Sequence, residues 1–326
     1  MANIALKRDA PFRGDFEGSL FFRFRWLRQS PVKGAPLSFT LATTRRFTLS
    51  PIQDYRDFYA NFIVKSAGSS SEELISAFSS IEREHYLGNG PWPICAGSGY
   101  IPSLSDDPRL LYQNILVGLS TDQGINNGEP TLHARCLAAC LPTTGETVIH
   151  VGAGTGYYTA ILAALVGITG NVVAYEIEVD LANRATVNLE HLANVKLIVG
   201  SASSAALPSA DVIYVNAGAT HPLDSWLDAL NVGGRLIFPL TSSEGSGGML
   251  LVTRGNSSEI YAASFVSWAG FIPCIGAQDD FNSGVLSDAF ESKSIWAVKS
   301  LHRKMPSDHT AWCVGKGWWL STAEPT

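Results

Sequence analysis

Apolar positions change their rhythm along this chain, and each rhythm predicts a different element. Over 54–65 they fall at 55, 58, 59, 62 and 63, the spacing of one helix face. Ser69, Ser70 and Ser71 precede Glu72 and Glu73, a helix-start signature, and the helix behind them turns Leu74, Ile75 and Phe78 inward. The stretch 81–93 leaves that helix through Gly and Pro, with Glu82, Arg83, Glu84 and His85 expected on a solvated face. Residues 94–128 read as an irregular, lid-like stretch with short strand candidates such as 114–119. The segment 125–141 starts a further helix, with Pro130 near its first turn, where a missing N–H costs nothing.

From 148 onward the pattern alternates. Strands are expected at 148–151, 172–175, 195–199, 212–216 and 235–240, with helices at 158–166, 179–192 and 222–230 between them. This predicts an α/β fold, a doubly wound and mostly parallel sheet with helices on both faces. Ligands in such sheets sit outside the carboxyl ends of the strands. Gly233-Gly234 reads as a turn, and apolar runs at 248–253 and 260–268 around Gly255-Asn256 predict an antiparallel hairpin closing the sheet. Residues 1–50 are expected to be a basic, poorly ordered extension. The main domain, with a helical N-terminal part, is expected over 51–275, and an α+β extension over 276–326. That last stretch holds Trp296, Trp312, Trp318 and Trp319, for which packing is the expected role.

The stretch 148–160, VIHVGAGTGYYTA, carries the candidate chemistry. Three glycines follow a strand and precede a helix, so backbone can approach a ligand with no Cβ in the way. The spacing is G-x-G-x-G, not the G-x-G-x-x-G of dinucleotide sites. A tight curve around a zwitterionic tail and a ribose suits S-adenosylmethionine; a nicotinamide cofactor is the alternative with the poorer spacing. Glu176 closes the next strand, where a carboxylate suits a ribose diol. An ordinary turn with an incidental Glu176 accounts for one glycine and not for three. The cofactor contacts expected are Gly152, Ala153, Gly154, Thr155, Gly156, Glu176 and Ile177, with Ser201 and Asn216 from the later strand-end loops.

Charge and cysteines narrow the setting. The net charge of −6 hides an asymmetry: residues 1–50 hold nine Lys/Arg against three Asp/Glu, and the remainder fourteen against twenty-six. An acidic body argues against nucleic acid as the main partner. No apolar run approaches a membrane span, and residues 1–50 have neither the apolar core of a secretory signal nor the acid-poor composition of a transit peptide. The five cysteines, with no Cys-x-x-Cys and no clustered His or Asp, are expected as reduced core thiols, without a metal, in a cytoplasmic protein.

With these residues in hand, the chain resembles the protein L-isoaspartyl (D-aspartyl) O-methyltransferases over about 54–275. AFSSIEREHYL at 77–87 is similar to the family's pre-core helix ending, VIHVGAGTGYYTAILA to its S-adenosylmethionine loop, and VVAYEIE to its ribose-acid strand. NVGGRLIFPL at 231–240 and FIPC at 271–274 resemble its closing strands. The resemblance implies a Rossmann-like methyltransferase fold and methyl transfer to the carboxylate of altered aspartyl residues in proteins or peptides. The family's substrate loop reads I-S-x-P-x-x-x-A; Pro130, His133 and Ala134 fit it, while Gly128 stands at the Ser/Thr position. His150 and Ser201 likewise stand where the family carries acids.

A carboxylate acceptor is already a nucleophile, so the site needs donors that orient it rather than a strong base. Asn126, Asn127 and the backbone at Gly128 are the candidates. A phenol or alcohol acceptor would need a base, for which His133 and His221 are available. His150, inside a strand, reads as a satisfied structural histidine. Two alternatives stay open: a relative with another peptide or small-molecule acceptor, and a non-catalytic module that binds S-adenosylmethionine.

Overall fold

A computed structural model describes residues 51–97 and 99–326. The basic extension expected at 1–50 lies outside the described residues. The first part is helical: α1 Ile52–Ser66, α2 Glu72–Ser80 and α3 Arg83–Leu87. Ser71 caps α2 by accepting from Leu74 N at 3.2 Å, the role its sequence signature predicts.

Two small ribbons follow, β1 Pro93–Ala96 with β2 Gly99–Pro102, and β3 Gly118–Ser120 with β4 Ile125–Asn126. Of the strand expected at 114–119, only the end is a strand. The segment before it has a single bridge, Val117 with Ile94, and is otherwise held largely by side chains. Helix α4 Pro130–Cys140 then leads into β5 Thr147–Val151, α5 Tyr157–Val166, β6 Asn171–Glu176, α6 Val179–Leu189, β7 Val195–Val199 and β8 Ala210–Val215. Next come α7 Asp224–Ala229, β9 Leu230–Thr241, β10 Ser246–Arg254, β11 Ile260–Gly270, α8 Asp280–Ser292, β12 Ser300–Arg303, β13 Ala311–Val314 and β14 Trp318–Ser321.

One ten-stranded sheet runs β13-β14-β12-β11-β10-β9-β8-β5-β6-β7. The five strands from β7 to β9 are parallel neighbours and the rest antiparallel. The chain moves outward from β5 in one direction through β6 and β7, then returns to β8 on the other side. That reversal makes β5 and β8 the switch point, where a crevice opens at the strand ends.

Alternation along the strands gives the sheet two cores. Val148 of β5 and Val212 and Tyr214 of β8 pack with Tyr59, Ile63, Phe78, Leu137 and Ile161 from the helices. Ile149, Ile213 and Val215 face the other way, with Trp226, Phe238, Phe265, Leu286 and Trp312. Period-two strands buried on both faces read as continuous apolar runs, as these do.

Three expectations change here. The turn at Gly233-Gly234 is a bulge inside one long strand: Ala210 pairs with Leu230 while Val212 pairs with Arg235. Gly233, at φ +82°, lets the chain detour and rejoin the ladder. The β10–β11 hairpin forms but does not close the sheet, because β12, β14 and β13 continue it. Residues 276–326 thus share the sheet and core of the strands before them, and Trp312, Trp318 and Trp319 are buried there while Trp296 is exposed. Finally, Phe58 and Phe62 stack on each other on the outer side of α1, whereas Tyr59, Ala60, Ile63 and Val64 are buried.

Candidate functional site

The glycine loop leaves β5 at the switch point. Gly152 and Gly154 take φ +76° and +58°, where a side chain is strained, and a Cβ on Gly154 would come within 3.2 Å of Leu119. Gly156 is different. It has φ +99°, heads α5, and a Cβ there would sit 2.9 Å from Leu189. Its bareness therefore serves the packing of α6 against the loop, and it does not line the cleft that its neighbours line.

Glu176 ends β6 almost fully buried. Its two oxygens accept from Gly154 N at 2.6 Å and Glu178 N at 2.9 Å. Burial pushes its pKa up, and these backbone donors pull it back. Each carboxylate oxygen has a second lone pair left for a ligand hydroxyl. Asn216, just past β8, donates from Nδ2 to His150 Nε2 at 2.8 Å, and its Oδ1 has no partner. His150 also meets Thr159 Oγ1 at 2.8 Å through Nδ1. Both ring nitrogens are satisfied below the loop, and burial takes its pKa down to about 3.

A second wall comes from the helical part. Arg83, expected on a solvated face, is fully buried. Its guanidinium donates to the carbonyls of Leu111, Gln113 and Ile115. Glu84 accepts from Arg56 and Tyr112. Arg83 and Glu84 are thus interior struts for the segment 111–115, which has no ladder of its own, while Glu82 and His85 are exposed as expected. Asn114 in that segment holds Glu129 and Thr131 N, and Val117 just beyond it donates its N–H to Asn127 Oδ1 at 2.9 Å. Asn127 is left with its amide Nδ2 buried and unpartnered. Asn126 Oδ1 accepts from Gly128 N at 2.9 Å.

His133, on α4, is buried, stacked on Tyr158 at 3.6 Å between ring centres, with Nδ1 2.9 Å from the Tyr214 hydroxyl. Burial takes its pKa down to about 3, so the ring is neutral across the physiological range. His221 meets Thr220 outside the cleft lining, and burial lowers its pKa as well.

These walls enclose one cleft of about 860 Å³, within the size range of small-molecule sites. Asn127, Gly128, His133, Gly152, Ala153, Gly154, Thr155, Glu176, Ile177, Ser201 and Asn216 all line it. Ser201 is turned to Ser203, 2.7 Å away, and Ser203 reaches Ile275 O at 2.9 Å. This ties the loop after β7 to the 271–275 segment, which is a cleft wall with a single bridge at Pro273 rather than a closing strand. Sequence reading missed Thr131, Arg135, Tyr158, Ser267 and Trp268 on the lining. Only the position of Tyr158 directly behind the glycine loop could have flagged one of them.

The lining fits the ligand that the glycine spacing suggests. Five buried polar atoms on it lack partners: Asn127 Nδ2, Thr131 Oγ1, Tyr158 OH, Asn216 Oδ1 and Ser267 Oγ. Buried polar groups are ordinarily paired, so a cluster of unpaired ones around a glycine cradle is a set of contacts waiting for a polar ligand.

Comparison with known proteins agrees. The sequence model of the family described as "Protein-L-isoaspartate(D-aspartate) O-methyltransferase (PCMT)" matches residues 98–278. A protein-L-isoaspartate O-methyltransferase of Ignicoccus hospitalis is 31% identical over 171 residues, covering 51% of this chain and 79% of that protein. Protein-L-isoaspartate O-methyltransferase 1 of Archaeoglobus fulgidus is 36% identical over 138 residues, covering 40% of this chain and 61% of that protein. Among solved structures, a Plasmodium falciparum protein described as a putative protein-L-isoaspartate O-methyltransferase, in complex with S-adenosyl-L-homocysteine, superposes with TM-score 0.54 at 17% identity. It covers 68% of this chain and 98% of its own. At that identity the likeness is one of fold.

Proposed function

The chain belongs to the protein-L-isoaspartate(D-aspartate) O-methyltransferase family, and from that premise we propose that it moves a methyl group from S-adenosylmethionine to a carboxylate of L-isoaspartyl or D-aspartyl residues in proteins or peptides. One observation carries the reading. A strand-end carboxylate pinned beside a glycine loop and an unpaired buried amide open onto the same cleft.

S-adenosylmethionine, when bound, supplies a methyl already activated on a sulfonium, so the reaction is an in-line displacement. The residues of this chain do the holding. Gly152 and Gly154 give the cofactor close backbone, Glu176 accepts from ribose hydroxyls with its free lone pairs, and Asn216 offers its unpaired amide oxygen. Ile177, 40% exposed at the rim, gives a base an apolar face. Asn127 Nδ2 donates to the acceptor carboxylate and fixes its approach. The carboxylate attacks without losing a proton, so the neutral His133 is consistent with the chemistry and no base is called for. Ser267 to Ile275 form one wall of the cleft, and a substrate seated against it would displace water and strengthen these contacts. The following backbone nitrogen then attacks the methyl ester and expels methanol to give a succinimide, which water reopens partly as normal aspartate.

A second reading keeps the cofactor and changes the acceptor to another peptide carboxylate; glycine at 128, in place of the family's hydroxyl residue, supports it. The setting in both is a reducing, cytoplasmic one, supported by five unpaired cysteines; among the described residues no helix is long and apolar enough to cross a membrane. The test is transfer of labelled methyl to a synthetic isoaspartyl peptide. Base-labile label on the peptide is expected. A protein that binds S-adenosylhomocysteine yet labels no isoaspartyl peptide would contradict the first reading.

A further inference from the structure

One wall of the cleft is propped from outside the family pattern. The family's sequence model matches up to residue 278, and α8 follows it. The chain is fastened to the loop after β8 just before this helix: Gln278 Nε2 donates to Gly218 O at 2.6 Å, and Asp279 N donates to Thr220 Oγ1 at 2.9 Å. The helix then sets Phe290 against Trp268 of β11, with ring centres 5.8 Å apart. Behind Phe290 stand Trp312 at 5.5 Å and Phe265 at 5.9 Å, both buried. Trp268 is thus held by an aromatic group rooted in the core, yet it lines the cleft and stays 53% exposed.

We propose that Trp268 is a specificity-determining residue for the peptide: its ring receives an apolar side chain flanking the altered aspartyl residue, and the segment after 278 holds the ring in place through Phe290. This rests on the carboxyl methyltransferase reading above.

Three observations support it. Ile272 and Ile275 are exposed on the same wall. A single exposed apolar residue is ordinary, whereas several on one wall of a cleft mark a binding surface. Ser267, next along β11, lines the cleft almost fully buried, and its Oγ has no partner. The end of this strand therefore offers a polar contact beside an aromatic face, which suits a peptide with a polar main chain and an apolar side chain. The ring is also set in advance. A tryptophan has two side-chain torsions, and contact with Phe290 restricts them, so little freedom is lost on binding. The glycine loop, Glu176 and Asn216 follow β5, β6 and β8, which leaves the β11 wall to the acceptor.

The experiment measures methyl transfer to isoaspartyl hexapeptides carrying Leu or Ser at each position flanking the altered residue. Wild type, Trp268→Ala, Trp268→Phe and Phe290→Ala are compared, with S-adenosylhomocysteine affinity measured by calorimetry. Wild type is expected to favour Leu over Ser at one flanking position by about tenfold in kcat/KM, mainly through KM. Trp268→Ala should cut that preference to about twofold or less, and Trp268→Phe should keep most of it. Phe290 does not line the cleft, so Phe290→Ala should lower the preference to about threefold through the position of Trp268 alone, with S-adenosylhomocysteine affinity held within about threefold. The proposal is overturned if wild type shows no such preference at any flanking position, or if the preference survives in Trp268→Ala or in folded Phe290→Ala. It is overturned as well if Trp268→Phe does no better than Trp268→Ala, or if cofactor affinity falls in step with the preference. Should Phe290→Ala fail to fold, the two variants of the half-exposed Trp268 decide. Wild type that methylates no isoaspartyl peptide removes the parent reading and this proposal together; active wild type with an indifferent Trp268→Ala removes this proposal alone.

Discussion

Replacing Glu176 with glutamine is the perturbation whose size the structure sets most directly. The carboxylate accepts from Gly154 N and Glu178 N, one bond per oxygen. The amide of Glu176→Gln has one oxygen, so one of these N–H groups would face an NH₂. Leaving a buried donor unpaired costs about 1–3 kcal/mol of stability. On the ligand side, each ribose hydroxyl would exchange a charge-assisted bond for a neutral one, a loss of about 1–1.5 kcal/mol per hydroxyl. Two hydroxyls give about 2–3 kcal/mol, or roughly a 30- to 150-fold weaker Kd. Calorimetry with S-adenosylhomocysteine reads this, at pH 8 so that the carboxylate, whose pKa burial raises, is ionised in wild type. A Kd within about threefold of wild type in a variant that folds normally would refute the placement of the ribose on Glu176.

Other changes separate the struts from the ligand contacts. Arg83→Met leaves the carbonyls of Leu111, Gln113 and Ile115 without their donor. It should cost about 3 kcal/mol or more in urea denaturation and raise the peptide KM by loosening the segment that holds Asn127; a loss under about 1 kcal/mol would count against the strut. Gly156→Ala sets a Cβ 2.9 Å from Leu189 at φ +99°, so stability should drop by about 1–3 kcal/mol. S-adenosylhomocysteine affinity should hold in the folded fraction, because Gly156 does not line the cleft; loss of affinity without loss of stability would reverse that assignment. His133 and His150 both have pKa values held near 3 by burial, against about 6.5 in an unfolded chain. Below pH 6.5 the unfolded state binds more protons, so stability falls as pH drops, by up to about 1.4 kcal/mol per pH unit for each ring. His150→Gln should therefore show a shallower decline of Tm between pH 6.5 and 5 than wild type, and an identical slope would show that His150 does not stay neutral.

The parts of the site that sequence makes legible are those built from local signals. The glycine loop, Glu176 and Asn216 are each fixed by the end of a strand, and strand ends follow from apolar runs and turn residues. Asn127 and His133 share the cleft for the same reason, since the loop before Pro130 and the helix after it are read from one short stretch. What stays hidden depends on partners far along the chain. Arg83 among Glu82, Glu84 and His85 has the look of a surface run, and only the arrival of residues 111–115 makes it interior. The stacking of His133 on Tyr158 and its bond to Tyr214 join three elements, and no spacing announces them. Gly156 belongs to the motif by sequence but to packing by structure, because Leu189 arrives from the next helix. Phe58 and Phe62 satisfy a helical period as well as Tyr59 and Ile63 do, and which pair is buried depends on the side from which the other helices pack.

The measurement that tests the central claim most directly is competition between isoaspartyl and aspartyl versions of one peptide for labelled methyl in a single reaction. A site whose buried donors are set for the isoaspartyl carboxylate leaves them unpaired with the other version, so a preference of roughly a hundredfold or more in kcat/KM for the isoaspartyl peptide is expected. Equal labelling of the two, or labelling of the aspartyl version alone, would contradict a repair-type carboxyl methyltransferase and leave a methyltransferase of another peptide carboxylate.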